Sequence, residues 1–158
     1  MRLRTSDLLS DPRNVELLRR LSADPRISVS ALARRIGMSA PAVRERIARL
    51  EEAGVILGYR LELAAAALGY PIALFVRVRP MPGKLGKVAE LAQAMPQVVE
   101  CHRITGEDCF ILKLHIAALD ELDRVLDRFL AYGQTTTSLV QSSPVPRRNL
   151  PLPGEGRP

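Results

Sequence analysis

Residues 28–53 read SVSALARRIGMSAPAVRERIARLEEA, and the spacing of their apolar side chains predicts two short helices joined by a tight turn. Val29, Leu32, Ala33 and Ile36 recur at steps of three and four, which places them on one face of a helix, and Ser28 is a good cap for its first turn. Gly37 follows the last apolar position, where a glycine can take the left-handed conformation that reverses the chain, and Met38 can tuck into the angle between the helices. Ser39 restarts the helix, with Pro41 in the first turn, where a missing N–H leaves no internal hydrogen bond unmade. Val43, Ile47 and Leu50 then fall on the inner face of the second helix.

The outer face of that second helix carries Pro41, Arg44, Glu45, Ala48 and Glu52, with Arg49 at its edge. Small residues near the start let such a helix enter a DNA major groove, and its arginines reach phosphates or guanine edges while its N-terminus favours a phosphate oxygen. This is the arrangement of a helix-turn-helix reading double-stranded DNA. Arg34, Arg35, Arg44 and Arg49 are expected to touch phosphates or bases, Ser39 with Ala40 and Pro41 to sit near the backbone, and Glu45 to accept from cytosine. An ordinary helical hairpin with a solvated basic face is the plain alternative. Against it, the small Ala33, the turn Gly37, the cap Ser39 and the core Val43 occur together at helix-turn-helix spacing.

The charge distribution follows the same division. The net charge is +6 over 158 residues. Residues 1–60 hold twelve arginines against seven acids, residues 61–143 eight basic against nine acidic groups, and the tail from Pro144 three against one. A basic excess that sits mainly with the helix-turn-helix is the footprint of a nucleic-acid-binding module joined to one that does not bind nucleic acid. With 47% hydrophobic residues the chain can build packed cores. No apolar run reaches the length of a membrane span and the N-terminus lacks a signal segment, so a cytoplasmic protein with no membrane partner is expected. Cys101 and Cys109 are too few for a disulfide scaffold and read as reduced thiols.

Along the chain, Asp11-Pro12 starts a first helix whose Val15, Leu17, Leu18 and Leu21 face inward, and Asp24-Pro25 breaks it near Ala23. After the second helix of the pair, Gly54 is the terminator. Val55–Leu57 and Arg60–Leu63 flank a Gly58-Tyr59 turn and read as a small wing. These elements make residues 1–63 a winged helix-turn-helix domain, followed by a linker over 64–71. From Ile72 the period becomes two, with Leu74, Val76 and Val78 on one face of a strand. A helix carrying Leu85, Val88, Leu91, Ala92 and Met95 stops at Pro96, and a second strand covers Val98–Ile104. A turn at 105–108 leads into a third strand with Phe110, Leu112, Leu114 and Ile116 inward; a helix from Asp120 ends near Gly133, and Thr135–Gln141 is strand-like. The order β-α-β-β-α-β over 72–143 is ferredoxin-like, so the fold class is α+β, with two helices on one face of a four-stranded antiparallel sheet. Phe75, Val99, Cys101, Ile111 and Leu139 are expected on the other face, too apolar as a group to stay wet, which calls for a second copy of the chain. Residues 144–158 read as an extended tail.

DPRISVSALARRIGMSAPAVRERIARLEEAGVILGYR and VVECHRITGEDCFILKLHI together resemble the Lrp/AsnC, or feast/famine, family of transcription regulators, over roughly residues 11–148. The resemblance implies a winged helix-turn-helix, a hinge strand, and a ferredoxin-like sensor domain that dimerises through its sheets. It further implies homodimers assembling into octamers or open helices on the nucleoid, and an amino acid or related metabolite bound near the turn after the second sensor strand. Here that turn is Gly106, Glu107, Asp108 and Cys109. Family members often have an aromatic residue followed by aspartate where this chain has Asp108 and Cys109, so Asp108 is the candidate partner for the effector's amino group. Asn14 and Ala64 also stand where aspartates are frequent, without an expected functional consequence.

Three rival readings are weaker. Cys101, His102, Cys109 and His115 include zinc-ligand types, but neighbours on a strand point to opposite faces and no CxxC pair exists, so no metal and no cofactor are expected. RNA binding on the sheet requires exposed stacking aromatics, and the third strand offers only Phe110, on its helix-facing side. Sirohaem decarboxylases resemble both domains, and His102, Arg103, Lys113 or His115 would then handle charge or protons. That enzyme alternative leaves the basic recognition helix unexplained, and a non-enzymatic regulator is the expectation.

Overall fold

Asp11, Ser28 and Ser39 each stand in extended backbone and accept a hydrogen bond from a backbone N–H two or three residues on, which starts three helices. In the computed structural model, which describes residues 5–155, these are α2 (Pro12–Ala23), α3 (Val29–Ile36) and α4 (Ala40–Glu52). A helix not foreseen from the sequence, α1 (Thr5–Ser10), precedes them and contributes Leu8 to their core. Its six residues are too short for periodicity to register. Leu17, Leu18, Leu21, Leu32, Val43 and Leu50 fill the space between the helices.

Gly37 closes α3 in the left-handed conformation (φ 66°, ψ 42°), and the Met38 N–H returns to the Ala33 carbonyl at 2.9 Å, so the turn takes the form expected. The wing does not form a ladder. Among the described residues no strand lies between α4 and Ile72, and Leu57 is 94% exposed. A two-stranded hairpin without a third strand is marginal in water; among the described residues none joins this segment, and only Val55 and Ile56 at its start pack on the helical core.

The second unit, Glu62–Pro144, holds a four-stranded sheet. Its strands are β1 (Ile72–Pro80), β2 (Val98–Arg103), β3 (Phe110–Ile116) and β4 (Gly133–Leu139), with α5 (Leu85–Ala94) after β1 and α6 (Glu121–Leu130) after β3. The order β2-β3-β1-β4, antiparallel throughout, is the ferredoxin-like topology. Leu74, Val76, Val78, Leu112 and Leu114 meet Val88, Met95, Val125 and Phe129 of the helical layer, and Phe110 is buried with them. Gly133 begins β4 rather than only ending α6. A Cβ there would lie 2.3 Å from the Arg79 carbonyl oxygen, so β4 approaches β1 more closely than any side chain permits.

The open sheet face differs from expectation. A bulge between Val98 and Glu100 shifts the alternation of β2, so that Cys101 pairs with Leu112 and Glu100 with Lys113. Leu139 pairs with Leu74. Cys101 and Leu139 therefore belong to the helix-facing side. The open face is amphipathic instead, with Phe75 and Ile111 set among Arg77, Arg79, Glu100, His102, Lys113 and His115.

The tail is not merely extended. Among the described residues, 5–61 and 145–155 form one compact unit, with the segment that builds the four-stranded sheet inserted between them in sequence.

Candidate nucleic-acid interface and effector turn

The helix-turn-helix sets the arginines at different stations. Arg34 and Arg35 occupy the last turn of α3, Arg44 the body of α4 and Arg49 its last turn; all four are exposed. Ser39 caps α4 through a long contact from the Ala42 N–H, 3.4 Å, and Ala40 and Pro41 open the helix beside it. Glu45 is paired with Arg49 one turn on. Arg44 borders an open recess with Pro25, Ile27, Ile47, Glu51 and Tyr59. Burial, followed by the charge and hydrogen bond of Glu51, raises the Tyr59 phenol above its ordinary range.

Arg46 was not singled out from the sequence, because its partners lie on another helix. Its guanidinium pairs with the Asp11 carboxylate and donates to Asn14 Oδ1 at 2.7 Å. Asn14, 4% exposed, donates in turn to the Leu8 carbonyl at 2.9 Å. One network thus ties α1, the start of α2 and the middle of α4, and it fixes the angle at which α4 is presented. The Arg46 hydrogen bond, with help from the Arg13 N–H, holds the Asp11 carboxyl below its ordinary value. Asn14 therefore has a structural role. Ala64, by contrast, begins the short 3₁₀ turn Ala65–Leu68 with no side chain to cap it.

In the sensor unit the turn is a closed hairpin connection, its last rung formed by the Ile104 N–H and the Cys109 carbonyl at 2.9 Å. Gly106 takes φ 109°. Glu107 pairs with Arg79, while Asp108 lies 3.8 Å from Arg77 and 3.7 Å from Arg79. Cys109 Sγ makes only a distant contact, 4.0 Å, to the Glu107 carbonyl. The two arginines are additional residues of the candidate site. They were legible in principle, since alternation along β1 puts Arg77 and Arg79 on the face away from the core. The turn thus presents carboxylate and guanidinium groups together. Among the described residues no cluster of three metal-ligating side chains exists, and no helix is long and apolar enough to cross a membrane.

Family models match both halves, a winged helix-turn-helix DNA-binding model over residues 10–56 and an Lrp/AsnC ligand binding domain model over residues 73–150. The chain is 30% identical over 132 residues to the HTH-type transcriptional regulator LrpC of Bacillus subtilis, covering 84% of this chain and 92% of that one. The chain belongs to the Lrp/AsnC family. It is also 40% identical over 106 residues to a leucine-responsive regulatory protein of Rhizobium meliloti, 65% of this chain and 68% of that one. The solved structure of Bacillus subtilis LrpC superposes with a TM-score of 0.79 at 29% identity, covering 84% of this chain and 95% of LrpC. Lrp/AsnC relatives are transcriptional regulators, and this chain is accordingly a DNA-binding transcriptional regulator. Nothing among them favours the decarboxylase alternative.

Proposed function

We propose that this Lrp/AsnC regulator reads its operator with the outer face of α4 and responds to an amino acid or related metabolite through the turn at Gly106, Glu107, Asp108 and Cys109. Arg44 is assigned a base contact, and Arg34, Arg35 and Arg49 phosphate contacts. Ser39, Ala40 and Pro41 lie at the DNA backbone, and Glu45 accepts from a cytosine after releasing Arg49. The charge division supports the first half of the reading. Residues 1–61 and 145–158 together hold fifteen arginines against eight acids, or +7, while residues 62–144 sum to −1.

The second half is carried by one observation, the placing of Asp108 between Arg77 and Arg79. An α-amino acid brings an ammonium and a carboxylate a few ångströms apart, and this turn offers a partner of each sign. Relatives whose names describe them as leucine-responsive support the same ligand class. Residues 72–143 are the sensing and assembly domain. Its open sheet face, with apolar Phe75 and Ile111 and charges of both signs, suits a two-fold copy of itself in which Glu100 meets Arg77 or Lys113. Homodimers, and octamers built from them, are the working state, in the cytoplasm on the nucleoid.

Light scattering and operator titration across the twenty amino acids test the reading, for the parent chain and for Asp108→Ala. One amino acid is expected to change mass or operator affinity in the parent and to lose that effect in the variant. A ligand shifts an equilibrium only by its differential affinity for the two states. If no amino acid changes either quantity, or if Asp108→Ala responds as the parent does, the turn is only a hairpin connection.

A further inference from the structure

The last described residues form a built element. Leu152-Pro153-Gly154-Glu155 has proline second and glycine third, the composition of a type II turn. Gly154 takes the positive φ that this turn requires, 86°. The Glu155 N–H donates to the Leu152 carbonyl at 2.9 Å, which closes the turn. The Glu155 side chain then uses both oxygens. One accepts from the Leu152 N–H at 3.2 Å, and the other accepts from Arg19 Nε on α2 at 2.5 Å. Between its two polar anchors the turn directs Leu152 onto the core built by α1–α4, where it is partly buried. One turn of helix beyond Arg19, Ser22 Oγ lies 3.5 Å from Asn149 Nδ2. An apolar plug, an ion pair and a polar contact thus meet one face of α2.

We propose that residues 149–155 are a latch for the DNA-binding unit: the turn docks on α2 of its own chain, ties the end of β4 to the helix-turn-helix, and strengthens operator binding while docked. The chain leaves the DNA-binding unit after Leu61 and returns to it at Val145. With the latch closed the helix-turn-helix is held at two points of the backbone; with it open, at one. The connection from Leu139 to Asn149 contains Pro144 and Pro146, whose fixed φ narrows the conformations it can adopt. Because latch and α2 share one chain, the effective concentration is on the order of millimolar, and a contact of this modest size is enough to keep it closed. Docking also holds Arg147 and Arg148 to the unit that already carries most of the positive charge. The proposal rests on the DNA binding shared by the family and is independent of the effector turn.

Hydrogen exchange of the full chain, read at the Leu152 and Glu155 amides, follows the latch, since both N–H groups are bonded within the turn and the Glu155 carboxylate that closes it is held by Arg19. Leu152→Asp is expected to speed both by about tenfold or more, and Leu152→Met to leave them slow. Operator affinity at fixed salt is expected to fall about fivefold or more in Leu152→Asp, with helix content unchanged and Leu152→Met equal to the parent. Glu155→Gln, which keeps the plug and loses the ion pair, is expected to lie between them. Rapid exchange of both amides in the parent would overturn the docking. Protection that rises with protein concentration would overturn docking within one chain. Equal operator affinity for parent and Leu152→Asp would overturn the tie.

Discussion

Replacing Arg46 by alanine removes the group that joins α4 to the start of α2. Two losses follow. Asn14 Oδ1, in a side chain only 4% exposed, loses its partner and is left dehydrated; an unsatisfied buried polar atom costs about 1–3 kcal/mol. The Asp11–Arg46 pair, with Arg46 about one quarter and Asp11 about one third exposed, is partly screened and contributes only about 0.5–1 kcal/mol. Alanine is a slightly better helix former, which returns a few tenths of a kcal/mol at roughly the level of propensity differences. The net destabilisation of the DNA-binding unit is about 2–3 kcal/mol, or a fall in melting temperature on the order of 10 °C for a unit of this size. Circular dichroism melts, read with hydrogen exchange of α2 and α4 to separate this unit from the sheet, provide the measurement. The pH dependence supplies a second readout. The Asp11 pKa is lower in the folded state than its ordinary 3.8. Its contribution is therefore complete above that value and is lost as pH falls through the folded pKa. The gap between parent and Arg46→Ala should narrow in that acid window. A variant within about 0.5 kcal/mol of the parent at neutral pH, the range of ordinary surface substitutions, would refute the network.

Arg44→Ala should cost on the order of 1–3 kcal/mol on the best operator and relax preference at one position, whereas a loss equal on all sequences would make it a phosphate contact. If six to ten phosphates are contacted in the operator complex, affinity should fall by about 10³ to 10⁵ between 50 and 200 mM salt, and a salt-independent affinity would exclude a basic interface. Gly133→Ala should destabilise the sensor sheet by about 1–3 kcal/mol or more, because its Cβ meets the backbone of β1; an unchanged melt of that unit would show that the strands separate freely.

The elements legible in the sequence are those whose signal is local. α2, α3 and α4 announce themselves through caps one to four residues from the apolar stripe they begin, and β1 and β3 alternate without interruption. What stayed hidden depends on partners distant along the chain. The single-residue bulge in β2 reverses the faces of Cys101 and His102, and nothing in VVECHR marks it. Arg46 looks like any other arginine of a basic helix until Asp11 and Asn14 are placed beside it. Arg77 and Arg79 come beside the turn at Gly106–Cys109 only when β1 and β3 are in register. The tail gave the opposite lesson, since its Pro-Gly dipeptide is a strong local turn signal that the surrounding prolines and arginines masked as mere extended chain.

The insertion of the sheet between two parts of the DNA-binding unit also bears on how the protein is made. The helices α1–α4 leave the ribosome first and contain most of their own core, but Leu152 and Glu155 are synthesised only after the whole of residues 62–144. At about 5–20 residues per second, those residues occupy the ribosome for roughly 4 to 17 seconds. During that interval the nascent chain carries a recognition helix whose unit is unfinished. A chain released early in the sheet domain therefore has a helix-turn-helix but not the segment that closes it.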